Sequence, residues 1–234
     1  NIEILYKKAL YRECAKFVSR AKKMALEHEK FYYSFELINW EKQLLEEEYE
    51  TGGFDKDLDD LISQETDCIQ KLRNLAEYHM IYSRVNFVIR RGGFARNDSE
   101  RKIVNELESY HLIKGKNTAL SSRAASICYY IKGVCNAFNR NYDEALINFK
   151  KVQDIVDKNA HLKPDLAQRY VRTLSLILTC YIELQDYTKA NTIIEEINSL
   201  NEEEGFSDTN TQLRIQTTVL ISTLQISNKT GNQT

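Results

Sequence analysis

The chain has 234 residues, 42% of them apolar and 28% charged. Its 32 Lys and Arg oppose 34 Asp and Glu, for a formal charge of −2, which gives no general pull toward nucleic acid or anionic lipid. Eight Gly and one Pro, where average usage gives roughly 16 and 12, exclude the turn-rich sandwiches, barrels and propellers.

Apolar residues recur at helical spacing along most of the chain. The first stretch carries Leu10, Cys14, Phe17, Val18, Ala21 and Ala25; the second carries Phe31, Phe35, Ile38, Trp40, Leu44 and Leu45. A long third stretch runs through Leu58, Leu61, Ile62, Ile69, Leu72, Ala76, His79, Met80, Val85, Val88 and Ile89. A shorter fourth holds Ile103, Val104, Leu107 and Leu112. The fifth spans about 121–140, the sixth 143–158, the seventh 164–184, the eighth 187–200 and the ninth 209–226. No stretch alternates with period two, so no strand is expected.

The punctuation fits helices. Gly52-Gly53-Phe54, Gly92-Gly93-Phe94 and Gly205-Phe206 each follow a periodic stretch; Gly accepts the left-handed conformation that ends a helix, and the next Phe can fold back onto its last turn. Gly115 closes the fourth stretch, Pro164 suits a first helical turn, and Asp98-Ser99-Glu100 and Ser207-Asp208 offer N-caps.

Three helix starts share a frame. Tyr142, Ala145, Phe149 and Val152 match Tyr187, Ala190, Ile194 and Ile197, and both match Tyr11, Cys14, Val18 and Ala21. Each reads aromatic, two polar, small, then apolar residues four and seven further on. The small residue admits a neighbouring helix closely, and the two apolar residues fill the groove on the same face.

On these residues the chain resembles the tetratricopeptide repeat family, whose unit is a 34-residue helical hairpin. Residues 129–152 carry the resemblance best: Tyr129 and Gly133 fit the first helix, and Tyr142, Ala145 and Phe149 the second. The next unit supplies Leu174, Tyr181, Tyr187 and Ala190, with Leu178 where a small residue is the rule. Ala145 and Ala190 lie 45 positions apart, so helices or loops are longer than the family's. The resemblance implies an all-α fold: a right-handed superhelix of antiparallel hairpins with about nine helices, forming one domain over 1–227 with a polar flexible tail at 228–234. If Tyr11 opens a second helix, residues 1–9 end a first one, and with no initiator Met we expect further chain upstream.

Chemistry leaves little trace. There is no phosphate-binding glycine loop, nucleophile elbow, metalloprotease motif or calcium loop. His28, His79, His111 and His161 are dispersed, and His79 reads as a packing residue. Glu47 and Glu48 sit among other acids and read as a solvated face. Cys14, Cys68, Cys128, Cys135 and Cys180 form no CxxC pair and read as buried free thiols, which suits a reducing compartment. No catalytic residue, cofactor or metal is expected, and no apolar run is long enough for membrane insertion. The expected location is cytoplasmic, with an upstream signal or anchor left open.

Charge is uneven locally. Acids crowd 41–67 and 195–208, while Arg84, Arg90, Arg91, Arg96, Arg101 and Lys102 face only Asp98 and Glu100 between 84 and 102. Two readings stay open. The arginines complement the negative end of the third helix, or Arg84, Arg90, Arg91 and Arg96 form a basic edge that docks an acidic partner. Arg90-Arg91-Gly92-Gly93-Phe94 is a single RGG-like copy, too little to predict nucleic-acid binding.

Fourteen Tyr suit hairpin cores or a binding groove rich in Tyr and Arg. In the resembling family, first helices line the concave groove. That implies Ile127, Tyr130, Val134, Ala137 and Phe138 in one unit, and Arg172, Ser175, Thr179, Ile182 and Glu183 in the next. Tyr130, Arg172, Ser175, Thr179 and Glu183 are therefore the expected partner-binding residues. The expected function is a non-catalytic scaffold for a peptide or partner protein, with self-association through terminal hairpins open. The alternative is a ligand-responsive sensor domain attached to an upstream output domain.

Overall fold

The computed structural model describes residues 1–49, 58–90 and 98–231. Those residues form eleven α-helices and two 3-10 turns, with no strand among them. The chain divides into two compact units, Asn1–Glu77 and Tyr78–Thr234.

The first unit holds α1 (Ile2–Lys7), α2 (Tyr11–Glu27), α3 (Phe31–Tyr49) and the start of α4 (Leu58–Arg90). Its core has two parts. Cys14, Val18 and Ala25 of α2 pack with Leu37 and Leu44 of α3, supported by Tyr6, Tyr11 and Trp40. Phe31 and Ile38 pack with Cys68, Leu72 and Leu75 of α4. A buried ion pair joins Lys22 to Glu41, and the same ammonium donates to Gln64 Oε1 at 2.9 Å. Tyr6 and Tyr11 donate to the two oxygens of Glu47 at 2.9 and 3.2 Å, so this acid holds α1 and α2 to α3 instead of merely facing solvent.

The second unit continues α4 and adds α5 (Asp98–Ser109), α6 (His111–Lys114), α7 (Ser122–Phe138), α8 (Tyr142–Lys158), α9 (Lys163–Glu183), α10 (Tyr187–Ser199) and α11 (Thr209–Thr230). Helix α7 packs on α8, α8 on α9, and α9 on both α10 and α11. Side chains that close the starts of α7, α10 and α11 are Ser121, Asp186 and Asp208, which accept from Ala124, Lys189 and Thr211 N–H.

One device recurs at four helix junctions. Ala9, Glu29, Arg140 and Gln185 take φ of 56°, 51°, 59° and 60°, each two residues before a helix start. The residue after each donates its N–H five positions back, at 3.0, 2.7, 2.9 and 2.9 Å, the long bond of a Schellman helix end. The carbonyl of that same residue then accepts from the small residue of the following helix: Cys14, Ser34, Ala145 and Ala190, at 2.9–3.0 Å. One residue thus ends a helix and begins the next, and the chain reverses within three positions. All four small residues are fully buried.

The three expected frames recur at helix starts, with Ala21 and Ile194 half-buried and Ile193 buried beside the latter, and Phe31, Ser34, Ile38 and Glu41 add a fourth. Its seventh position is Glu41, an acid, buried against Lys22; a search for apolar residues there misses it. None of the four junctions uses Gly. Gly205 is the exception that follows expectation, with φ +87° and Phe206 fully buried behind it. The expected helix ends at Gly52-Gly53-Phe54 and Gly92-Gly93-Phe94 lie outside the described residues.

Other expectations are corrected. The fourth stretch breaks at Tyr110 into α5 and α6, and residues 2–7 form α1, so the described residues hold eleven helices, not nine. Asn228 to Thr230 belong to α11, not to a tail, and Lys229 meets Glu183 at 2.9 Å. In α4 Tyr78 takes the buried place assigned to His79 and Met80, which are exposed. Its hydroxyl reaches Leu112 O at 3.1 Å and Thr118 Oγ1 at 2.7 Å, polar partners that imidazole and thioether at their own positions do not meet. All five cysteines are free and buried; burial pushes the Cys135 and Cys180 thiols up to about 12.

The 45-residue step has a visible origin. Helix α9 has 21 residues against 17 in α7, and a 3-10 turn at Ala160–Leu162 precedes it. Corresponding positions also trade volume: Gly133 and Phe149 in one hairpin become Leu178 and Ile194 in the next. A Cβ built on Gly133 would lie 2.5 Å from Phe149 Cε1. Overpacking of this kind costs about 1–3 kcal/mol. Gly133→Ala should lower stability by that amount in urea unfolding, and Phe149→Leu in the same chain should recover part of it; an unchanged midpoint would contradict the close approach.

A half-buried polar cluster joins α8, α9 and α10. Tyr170 donates to Asp157 Oδ1 at 3.1 Å and lies 3.3 Å from Glu196 Oε1, which also accepts from Gln153 at 2.6 Å. Lys163 sits 4.7 Å from the centre of the Tyr170 ring and pairs with Glu203 at 2.8 Å. Burial, opposed by the Tyr170 hydrogen bond, holds the Glu196 carboxyl above its ordinary value of 4.5. The folded state therefore binds this proton more tightly, and the stability it brings is present below pH 4.5 and lost as pH rises through the raised value. Glu196→Gln keeps an acceptor oxygen and sheds the charge. Its melting temperature should exceed the parent's by roughly 2–4 °C at pH 7 and match it below pH 4.5; equal curves at both pH values would contradict the assignment.

Candidate functional site

The second half of α4 and the first half of α9 border an open cleft of about 390 Å³, lined by Tyr82, Ser83, Asn86, Phe87, Gln168, Arg169 and Arg172. The spacing makes this possible. Tyr82 and Asn86 stand four apart on α4, and Arg169 and Arg172 three apart on α9, so each pair shares a helix face.

Asn86 is the hinge of the arrangement. Its Nδ2 donates to Tyr82 O at 2.9 Å, which fixes the amide plane. Its Oδ1 then accepts from Tyr130 Oη at 3.1 Å and from Arg172 Nη1 at 2.8 Å. Arg172 Nη1 also reaches the Tyr82 hydroxyl at 3.2 Å. The Arg169 guanidinium lies over the Tyr82 ring, 4.9 Å from its centre, and Nη1 donates to Ser126 Oγ at 3.2 Å. Its buried Nε finds no acceptor. Burial pulls the Arg169 guanidinium below its ordinary value, the direction expected for a cation removed from water.

The structure joins two of the expected site residues, Tyr130 and Arg172, through Asn86. It also changes the role of Tyr130. That side chain is fully buried, its ring 5.2 Å from Tyr82 and 6.2 Å from Phe149, and burial drives its hydroxyl upward from the ordinary range. Tyr130 supports the cleft from beneath and presents no surface to a partner. Ile127, Val134 and Ala137 are fully buried as well, so this face of α7 is core and not open groove.

The other expected residues lie apart from the cleft lining. Ser175 and Thr179 are half-buried, and the Thr179 hydroxyl donates to Ser175 O at 2.9 Å. Ile182 is buried, and Glu183 is exposed and paired with Lys229 of α11. Arg84 is exposed and borders a neighbouring hollow of about 470 Å³ with Ser83, Phe87, Ile103 and Glu106. Arg90 ends α4, while Arg91 and Arg96 lie outside the described residues.

Sequence reading missed Asn86, Phe87 and Arg169. Phe87 is 55% exposed, and the polar Ser83 and Arg84 four and three positions before it on the same helix face were the available signal. Asn86 and Arg169 carried none, because Asn86 meets Arg172 and Arg169 meets Tyr82 only across two helices distant in sequence.

The lining contains two permanent cations, two amides, two hydroxyls and a phenyl ring. It can bind and orient; it offers no carboxylate, thiol or imidazole for proton transfer. An adjoining hollow shares Tyr82, Gln168 and Arg169 and adds Asp165 and Asp208. Asp165 pairs with Arg123, and the bonds from Thr211 that close α11 hold the Asp208 carboxyl below its ordinary range. Among the described residues no group of three His, Cys, Asp or Glu is placed to hold a metal ion, and no helix is long and apolar enough to cross a membrane. No family model, curated protein or solved structure matches the chain.

Proposed function

We propose that this chain is a non-catalytic recognition module of tetratricopeptide-like hairpins, which binds a peptide or partner protein through the cleft between α4 and α9. The hairpin reading, and the right-handed superhelix it implies, is supported by the recurrence of one junction and one buried frame at Tyr11, Tyr142 and Tyr187. Units of this kind bury their apolar faces against neighbours and leave a surface free for recognition.

One observation carries the functional reading. Arg172 is held in place at an open surface beside the exposed Phe87, and arginine with an aromatic neighbour is the composition of binding hot spots. The cleft lacks an acid–base pair, which favours binding over chemistry. Five buried free thiols favour a reducing compartment, the cytoplasm, as its location. Exposed Leu213, Leu220 and Leu224 on α11 favour self-association through this last helix as an additional contact.

The test is affinity capture with the intact chain, followed by titration calorimetry with each purified partner. Arg172→Glu and Phe87→Ala, both checked for native helicity, should each weaken binding at least tenfold, about 1.4 kcal/mol. Arg12→Glu, an exposed change in the first unit, should leave it unchanged. Parental affinity in both cleft variants would reject the assignment.

A further inference from the structure

We infer that the cleft between α4 and α9 is an oxyanion site, in which Arg169 and Arg172 together hold a carboxylate or phosphoryl group of the ligand. This rests on the reading of the cleft as the contact surface and adds the chemistry of what enters it.

The inference starts from an unbalanced charge. Arg169 and Arg172 are both half-buried, and among the described residues neither has a carboxylate partner. Their hydrogen bonds go to neutral groups: Ser126 for Arg169, Tyr82 and Asn86 for Arg172. The acids close by are engaged elsewhere. Asp165 pairs with Arg123, and Asp208 accepts from Thr211 N–H at 3.0 Å to cap α11. Partly desolvated cations without counter-charge are costly, and placing two of them around one tyrosine multiplies that cost. An anion in the cleft relieves it.

The geometry is prepared for such a guest. Each guanidinium has five N–H donors in a planar fork, and Arg172 uses only Nη1 on Asn86 and Tyr82. The Tyr82 ring and the Ser126 hydroxyl hold Arg169, and the bonds to Tyr82 and Asn86 hold Arg172, so both are placed before a ligand arrives. Forks arranged in this way match the two oxygens of a carboxylate or two of a phosphoryl group. A space of about 390 Å³ accepts one such group with the atoms that carry it. Ser83 adds a neutral donor at the rim, the Gln168 amide bonds the Asp208 carboxylate, and Phe87 offers an apolar face to the remainder of the ligand.

The experiment follows thermal unfolding of the full chain at pH 7.5 and fixed ionic strength, titrating sodium phosphate, sodium acetate or sodium chloride to about 50 mM. At least one oxyanion should raise the melting temperature beyond chloride. That excess should disappear in Arg172→Gln and persist in Arg84→Gln, which lies outside the cleft. Acetate alone acting identifies a carboxylate as the natural group, phosphate alone a phosphoryl group, and both together a site that takes either. Equal midpoints in all three salts, or an undiminished excess in Arg172→Gln, would overturn the inference. If Arg172→Gln does not fold, Arg172→Lys replaces it: charge without the fork should raise the apparent Kd at least threefold, and an unchanged value would count against the site. No oxyanion effect while Phe87→Ala still weakens partner binding would remove this inference and keep the recognition surface. Failure of both would remove both.

Discussion

The structure depends on a three-residue chain reversal whose middle residue must be left-handed. For an L-residue that conformation costs roughly 1–2 kcal/mol, and this chain accepts it at Ala9, Glu29, Arg140 and Gln185. The return comes from what the reversal permits. The residue that closes one helix by a bond five positions back also opens the next, so the reversal needs no separate loop. A small residue then sits fully buried three positions after the aromatic start, where the adjacent helix comes closest. The shortage of Gly and Pro follows: the junctions are held by backbone bonds and packing, not by turn residues.

The same reversal explains how the cleft is built. Helices α7 and α9 each precede one of these junctions, so their faces are set by where the next helix must begin. Tyr130 is held beneath the surface by Phe149 and Tyr82, and its hydroxyl orients Asn86, which in turn orients Arg172. The result is a cation placed by a chain of neutral hydrogen bonds. Such a cation stays available for a ligand, whereas one paired with an internal carboxylate is already spent, as Arg123 is on Asp165.

Much of the fold was legible in the sequence because it has a 3.6-residue period. The long stretches from Leu10 to Leu224 were found within a few residues, as were the N-cap at Asp208, the first-turn Pro164 and the Gly205 end. What failed did so for physical reasons. Phe31–Glu41 hid a fourth frame because an ion pair with Lys22 replaces the apolar residue there. His79 yielded to Tyr78 because only the tyrosine hydroxyl finds Leu112 and Thr118. The site is half legible: Arg172 stands out on a first helix, but Tyr130 on the same kind of face is core, since periodicity names a face and does not say what covers it. Asn86 and Arg169 became visible only when α4 and α9 were side by side.

The most direct check of the central claim is backbone NMR of Ala9, Glu29, Arg140 and Gln185. The account predicts left-handed chemical shifts and couplings at all four, with slowly exchanging amides at Leu10, Lys30, Asn141 and Asp186 directly after them. Right-handed helical values running unbroken through Arg140 or Gln185, or extended values with fast-exchanging amides beside them, would contradict it.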